Sequence, residues 1–394
     1  MLIHYSDIGK CELQPMANSR LTIRHAGKTP GFSNRRPRHY LAYLIVGTSF
    51  MVACNRDAPG PRGSAPPAGS RIVVIGPPGD NPAWPGTRGG ARRFAEKLSN
   101  ISVETLVPEN ATEQAYRDLL ERVLEKPPVA ICLYVPDLAR AAAATNSGEP
   151  NDNASTDEPR AATTADPFDG LTRKVVDRGV LLVTIGREMP PGRAFGHVGV
   201  DWAGGAQLLG RNLKNIAPDK ASYVLLHERG LSRIGADCYE RFSNAATRER
   251  VMTRLTEREA DHGPPRQREQ LREMLAQFSS AGLVITLTAE PWFDIPPERW
   301  LDPRNSFATL SAAPRLWPRL ASGEAAALVG PLDGDVGYGA VELAWLGLTG
   351  AERAGTRPMV PCELVTPQTR TEFARRYAES AGASVESLLI GEGG

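Results

Sequence analysis

Six histidines (His4, His25, His39, His197, His227 and His262) and five cysteines are spread through the chain without metal-ligand spacing, and no pair reads CxxC. No G-x-S-x-G, HExxH or GxxxxGK[ST] stands anywhere in it. Gly76-Pro77-Pro78-Gly79 is turn-forming, but lacks the lysine and hydroxyl that a phosphate loop needs. These absences predict no metal, no cofactor and no enzyme. Cys132 falls inside an apolar strand pattern and Cys238 on a helical one. With Cys362 they read as buried free thiols rather than a disulfide.

The elements that must position any site come from the wider pattern. The 394 residues are enough for two or three domains. Hydrophobic content of 41%, charged content of 23% and a net charge of +1 exclude a broadly basic nucleic-acid binder and an acidic disordered chain. Residues 16–54 hold six of the basic side chains and no acid, and end in an apolar run, Leu41 to Val52. That run is shorter than the roughly 20 residues of a membrane span. A basic region, a short apolar run and a small residue before Cys54 (Met51-Val52-Ala53-Cys54) resemble a bacterial lipoprotein export signal. The resemblance implies lipidation of Cys54, a periplasmic location and a membrane-anchored protein. A plain N-terminal membrane anchor, or a chance apolar run beside a cysteine, is the other reading. Residues 55–70 are a Pro/Gly/Ser tether, too poor in apolar groups to fold.

From Arg71 onward, short β-branched runs alternate with helical patterns, the signature of βαβ units on parallel sheets. The runs include 71–76, 102–107, 129–135, 180–186, 222–227, 251–256, 282–288, 306–310 and 327–329. Helical stripes lie between them, the first over 90–98. The second begins near Asn110, read as its cap with Glu113 three residues on. Residues 145–167 contain no large apolar group and read as a disordered insertion rather than a lid.

The order of local words over about 310 residues resembles the type I periplasmic binding proteins, in the sugar-binding branch related to the lactose repressor. The words are Asn81-Pro82-Ala83-Trp84 after the first strand and the strand end Tyr134-Val135-Pro136-Asp137. After them come Gly179 to Thr184, His197-Val198-Gly199-Val200-Asp201-Trp202-Ala203-Gly204-Gly205, and Pro361-Cys362-Glu363-Leu364-Val365-Thr366. The resemblance implies an α/β fold of two Rossmann-like doubly wound lobes with a three-crossing hinge. Lobe one would be 71–200 plus 332–357, lobe two 201–331 plus 358–380, and 381–394 a tail.

It also implies a cleft that closes on a small polar, carbohydrate-like ligand for an ABC permease or a membrane sensor, with no nucleic acid as partner. In such a cleft planar polar side chains take paired hydroxyls and aromatic faces take C–H surfaces. Asn81 would bind hydroxyls, Trp84 would stack, and Arg187 would hold a bidentate contact. Asp137, Asp201, Trp202 and Glu290 complete the set. Four of them have a second reading from their own surroundings. Asn81 before Pro82 forms turns, Trp84 packs, Arg187 is one of 39 arginines, and Asp201 caps a helix. The second lobe departs from the pattern: Cys238-Tyr239-Glu240-Arg241-Phe242, Thr288-Ala289-Glu290 and Thr309-Leu310-Ser311 lack the usual polar contacts. That erosion leaves open a sensor or interaction protein of the same fold with a degraded ligand site.

Overall fold

Strands covered by helices on both faces must be apolar almost throughout, and Ile72, Val73, Val74 and Ile75 are fully buried. The computed structural model describes residues 66–77, 81–110, 112–136, 167–230, 232–249, 252–261, 264–293 and 301–390. Sheet one contains β1 (Ser70–Ile75), β2 (Ile101–Leu106), β3 (Ala130–Val135), β4 (Leu181–Gly186), β5 (Gly196–Val200) and β11 (Met359–Val360). Its order is β11-β5-β4-β3-β1-β2, parallel throughout. Sheet two contains β6 (Ser222–His227), β7 (Thr253–Glu259), β8 (Leu283–Thr286), β9 (Ser306–Thr309), β10 (Ala325–Gly330) and β12 (Glu363–Val365). It runs β12-β10-β9-β8-β6-β7, with only β12 antiparallel.

Each sheet is wound on both faces. On sheet one, α1 (Trp84–Ala95) and α9 (Asp333–Leu348) cover one side, and α2 (Glu113–Glu125) and α3 (Pro167–Asp177) the other. On sheet two, α4 (Trp202–Arg211), the short α5 (Leu213–Ile216) and α6 (Arg233–Glu249) form one core. The opposite core takes α7 (Pro264–Gln277), α8 (Trp317–Ala321) and α10 (Arg370–Ala381). The chain passes between sheets three times: after β5, after β10 and between β11 and β12. This is the α/β architecture of two doubly wound lobes that the sequence predicts.

Several boundaries move. Helix α1 starts at Trp84, six residues before the expected stripe, with Pro85 in its first turn. Gly86, Gly89 and Gly90 hide it, since each glycine costs a helix about 1 kcal/mol against alanine. The cap of α2 is Thr112, whose hydroxyl accepts from the Ala115 N–H at 3.3 Å. Asn110 instead accepts from the Thr112 N–H at 3.0 Å and so braces the cap. The helical stretch after β5 breaks at Asn212 into α4 and α5, and the Asn212 side-chain amide donates to the Leu208 carbonyl at 2.8 Å. Strand β7 lies two to three residues later than expected and forms a half-exposed edge.

Strand β11 stays on sheet one to Val360, so the third crossing occurs at Pro361-Cys362, a few residues beyond the expected boundary at 357. The expected tail contains a further helix, α11 (Val385–Ile390), entered after Gly382 at φ +60°. Within the expected insertion only Pro167 is described, and it opens α3. The export signal with Cys54, the tether up to residue 65, and Asp137 lie outside the described residues.

Replacing Thr112 by Ala is expected to cost about 1 kcal/mol in urea denaturation. An equal loss in Asn110→Ala with none in Thr112→Ala would return the cap to Asn110.

Candidate functional site

In open α/β sheets, ligands bind outside the carboxyl ends of strands. The first two crossings leave from the carboxyl ends of β5 and β10, and the third joins β11, parallel to β5, to β12. The Asp201 N–H donates to the Val360 carbonyl at 2.9 Å and ties the first crossing to the third. The carboxyl edges of both sheets therefore adjoin the hinge. Asn81, Arg187 and Asp201 follow β1, β4 and β5, and Glu290 follows β8.

Each of these side chains also has local work. Asn81 Oδ1 accepts from the Ala83 N–H at 3.0 Å, and its carbonyl accepts from the Trp84 N–H at 3.0 Å, which turns the chain into α1. The indole of Trp84 is buried to 7% exposure among the side chains of sheet one. A Cβ on Gly76 would fall 2.5 Å from three of its ring atoms. The ring plugs the core at the end of β1, so the packing reading describes this conformation and the stacking one does not. Arg187 is half-buried behind Gly186, which needs its φ of +82°, and its N–H donates to the Val135 carbonyl at 3.2 Å. Asp201 is exposed and caps α4, with Oδ1 accepting from the Gly204 N–H at 2.8 Å. Trp202 is half-buried against the α4–α6 core. Glu290 Oε2 accepts from the buried Gln267 amide at 2.9 Å.

The strand ends of sheet two are built from hydroxyls and rings. Trp292 stacks on Phe307 at 3.7 Å between centroids and donates from Nε1 to Thr286 Oγ1 at 2.7 Å. Thr286 donates to Thr309 Oγ1 at 2.8 Å, and Thr309 donates to the Thr288 carbonyl at 2.9 Å. This closed chain satisfies buried polar atoms internally. His227 ends β6 with Nδ1 accepting from the Arg229 N–H at 3.2 Å, and burial lowers its pKa. His197 lies in β5 with Nδ1 3.1 Å from Thr184 Oγ1, and burial lowers its pKa as well. Burial pushes the Cys132 and Cys238 thiols up to about 12, so neither is a ready thiolate at neutral pH.

One residue escaped the sequence reading. Asp333 begins α9 directly after the second crossing and is buried, with Tyr377 Oη donating to Oδ2 at 2.5 Å. Burial raises its carboxyl to about 7. An acidic residue at a helix start is legible in sequence as a dipole partner. Its burial depends on a helix more than forty positions away. Among the described residues no group of three His, Cys, Asp or Glu side chains could hold a metal ion. No described helix is long and apolar enough to cross a membrane.

Trp84→Ala should lose about 3–5 kcal/mol of stability, the usual cost of emptying a large buried ring. A loss within about 0.5 kcal/mol, as for an exposed side chain, would restore the ring to the cleft as a stacking surface.

No protein-family model and no curated protein matches the sequence. Solved structures do match in shape. A sugar-binding protein of a sugar ABC transporter from Bacillus halodurans superposes at TM-score 0.62 with 12% identity, over 77% of this chain and 99% of that one. A periplasmic ribose ABC transporter protein from Conexibacter woesei gives 0.60 with 13% identity, over 80% and 97%. A LacI-type transcriptional regulator from Bacteroides fragilis, itself described as putative, gives 0.56 with 13% identity, over 77% and 99%. Taken with the strand order and the three crossings, these superpositions assign the chain the type I periplasmic binding protein fold.

Proposed function

We propose that the chain is an extracytoplasmic solute-binding protein that takes a small polar, sugar-like ligand between its lobes and presents it to an ABC-type permease. The observation that carries this reading is positional. Asn81, Arg187, Asp201 and Glu290 come from separate strands of both sheets, yet all stand on the carboxyl edges beside the hinge. Binding, not catalysis, is the expected activity, with ligand contacts to both lobes favouring the closed form. The neighbours named as sugar-binding and ribose-transport proteins support the ligand class. Lipidation at Cys54 would hold the protein at the membrane, with residues 55–70 as a tether and the periplasm as its compartment.

A second reading, a sensor or interaction protein with a degraded site, is favoured by the burial of Trp84 and the engagement of Glu290 by Gln267. The two readings separate in a thermal-shift screen of the full chain against sugars, polyols and nucleosides. A ligand at about 100 times its Kd should add about 2.7 kcal/mol. Silence across the whole library would favour the second reading. For the anchor, labelled palmitate is expected to enter the wild-type protein in cells and to be lost in Cys54→Ala. Equal labelling of the two would remove the lipidation proposal.

A further inference from the structure

Helices rooted in different lobes meet where side chains are nearly absent. Helix α1 contributes Ala91 and Phe94 to the core of sheet one, whereas α10 contributes Phe373 and Tyr377 to the core of sheet two. The two still touch backbone to backbone, since a Cβ on Gly89 would overlap the Ala381 carbonyl oxygen. Helix α9 closes the triangle. A Cβ on Gly90 would overlap the Gly334 carbonyl, and one on Gly334 would overlap that of Ser380. Polar bonds cross the same junction. Arg93 donates from Nη1 to the Glu379 carbonyl at 3.0 Å and pairs through Nη2 with Asp335 at 3.3 Å. Tyr377 of α10 reaches Asp333 of α9 beneath Gly86, where a Cβ would fall 2.8 Å from both side chains.

We propose that this junction is a latch between the lobes, with the Asp333–Tyr377 hydrogen bond as its catch, which fixes the interlobe angle. Three strand crossings alone leave a hinge free to bend. Backbone contact between helices anchored in opposite cores removes that freedom, because packed interfaces shift between discrete arrangements and do not deform smoothly. The latch rests on these contacts alone and does not depend on a solute being the ligand.

The catch should respond to pH. The groups around Asp333 are Tyr377 of α10, the Cys362 thiol of the third crossing, and the Arg93–Asp335 pair of α1 and α9. Glu379 of α10 enters only through its carbonyl. Burial favours the neutral acid and outweighs the Tyr377 hydrogen bond, which favours the carboxylate, so the folded state keeps a proton that the unfolded chain releases near pH 4. The stabilisation is complete below that value and is lost as pH rises through about 7.

The test is the interlobe distance in the full-length protein without ligand, read by electron–electron resonance between spin labels at Arg122 and Arg248, exposed on α2 and α6. The wild type should give one narrow distance at pH 5.5 and a broadened distribution at pH 8.5. Tyr377→Phe should be broad at both values. Asp333→Asn, neutral throughout and able to accept from Tyr377, should stay narrow at both. Gly89→Ala should displace the peak, and if it does not fold, Tyr377→Phe still decides. Superimposable wild-type and Tyr377→Phe distributions at both pH values, or an Asp333→Asn variant that broadens like the wild type, would overturn the latch.

Discussion

Helix α1 reaches its neighbours only because it lacks Cβ atoms at Gly86, Gly89 and Gly90, and much of the molecule is arranged around that approach. Three glycines in twelve helical residues forfeit roughly 3 kcal/mol of intrinsic helix preference. Tertiary packing must return at least that much. It does so by letting α9 and α10 lie against α1 at backbone distance, so one short segment touches elements of both lobes. Asp333 and Tyr377 are buried at that approach, with the Tyr377 ring against Trp317 and Phe373, while Arg93 bridges its rim to the Glu379 carbonyl and Asp335. Desolvation raises the pKa of a buried carboxyl in such a place, and here the carboxyl accepts a hydrogen bond from a phenol.

The same economy governs the strand ends. Residues there must first terminate strands, open helices and satisfy buried backbone, and only then are they free for a ligand. Asn81 spends its carbonyl oxygen on the turn into α1 and leaves the two amide hydrogens to other partners. Asp201 spends one carboxylate oxygen on the cap of α4. Trp84 has gone fully to the core. In sheet two, Thr286, Thr309 and Trp292 bond to one another. Polar chemistry is therefore richer on the edge of sheet one than on that of sheet two, whose polar atoms are largely spoken for.

The alternation of apolar runs and amphipathic stripes made the two wound sheets legible, since a parallel strand covered on both faces must be continuously apolar. The edge strand β7 was less so, because its TRLTERE pattern is half-exposed and charged. The start of α1 was illegible for a different reason. Local propensity argues against a helix through Gly86-Thr87-Arg88-Gly89-Gly90, and the contacts that override it come from residues 334 and 381. Asn110 and Thr112 show how close a local reading can come: a cap was expected here, and the geometry places it two positions further on. The site residues came from the family resemblance, and Asn81, Arg187, Asp201 and Glu290 do follow strands. Whether a given ring lies in the core or the cleft depended on Gly76, which no pattern of periodicity singles out.

That dependence bears on how the two lobes could work together. A hinge protein that binds by closing needs a low-cost motion between two arrangements, and the cost is set where the lobes already touch. Here that contact is made of helix backbones, which cannot repack by changing rotamers. Any motion must separate α1 from α10 as units, breaking the Arg93 bonds to Glu379 and Asp335 and the Tyr377 bond together. Losses that come together make a threshold rather than a gradient. The lobes of this chain should therefore behave as a pair with few accessible angles, and a ligand at the strand ends must supply enough differential binding to move between them.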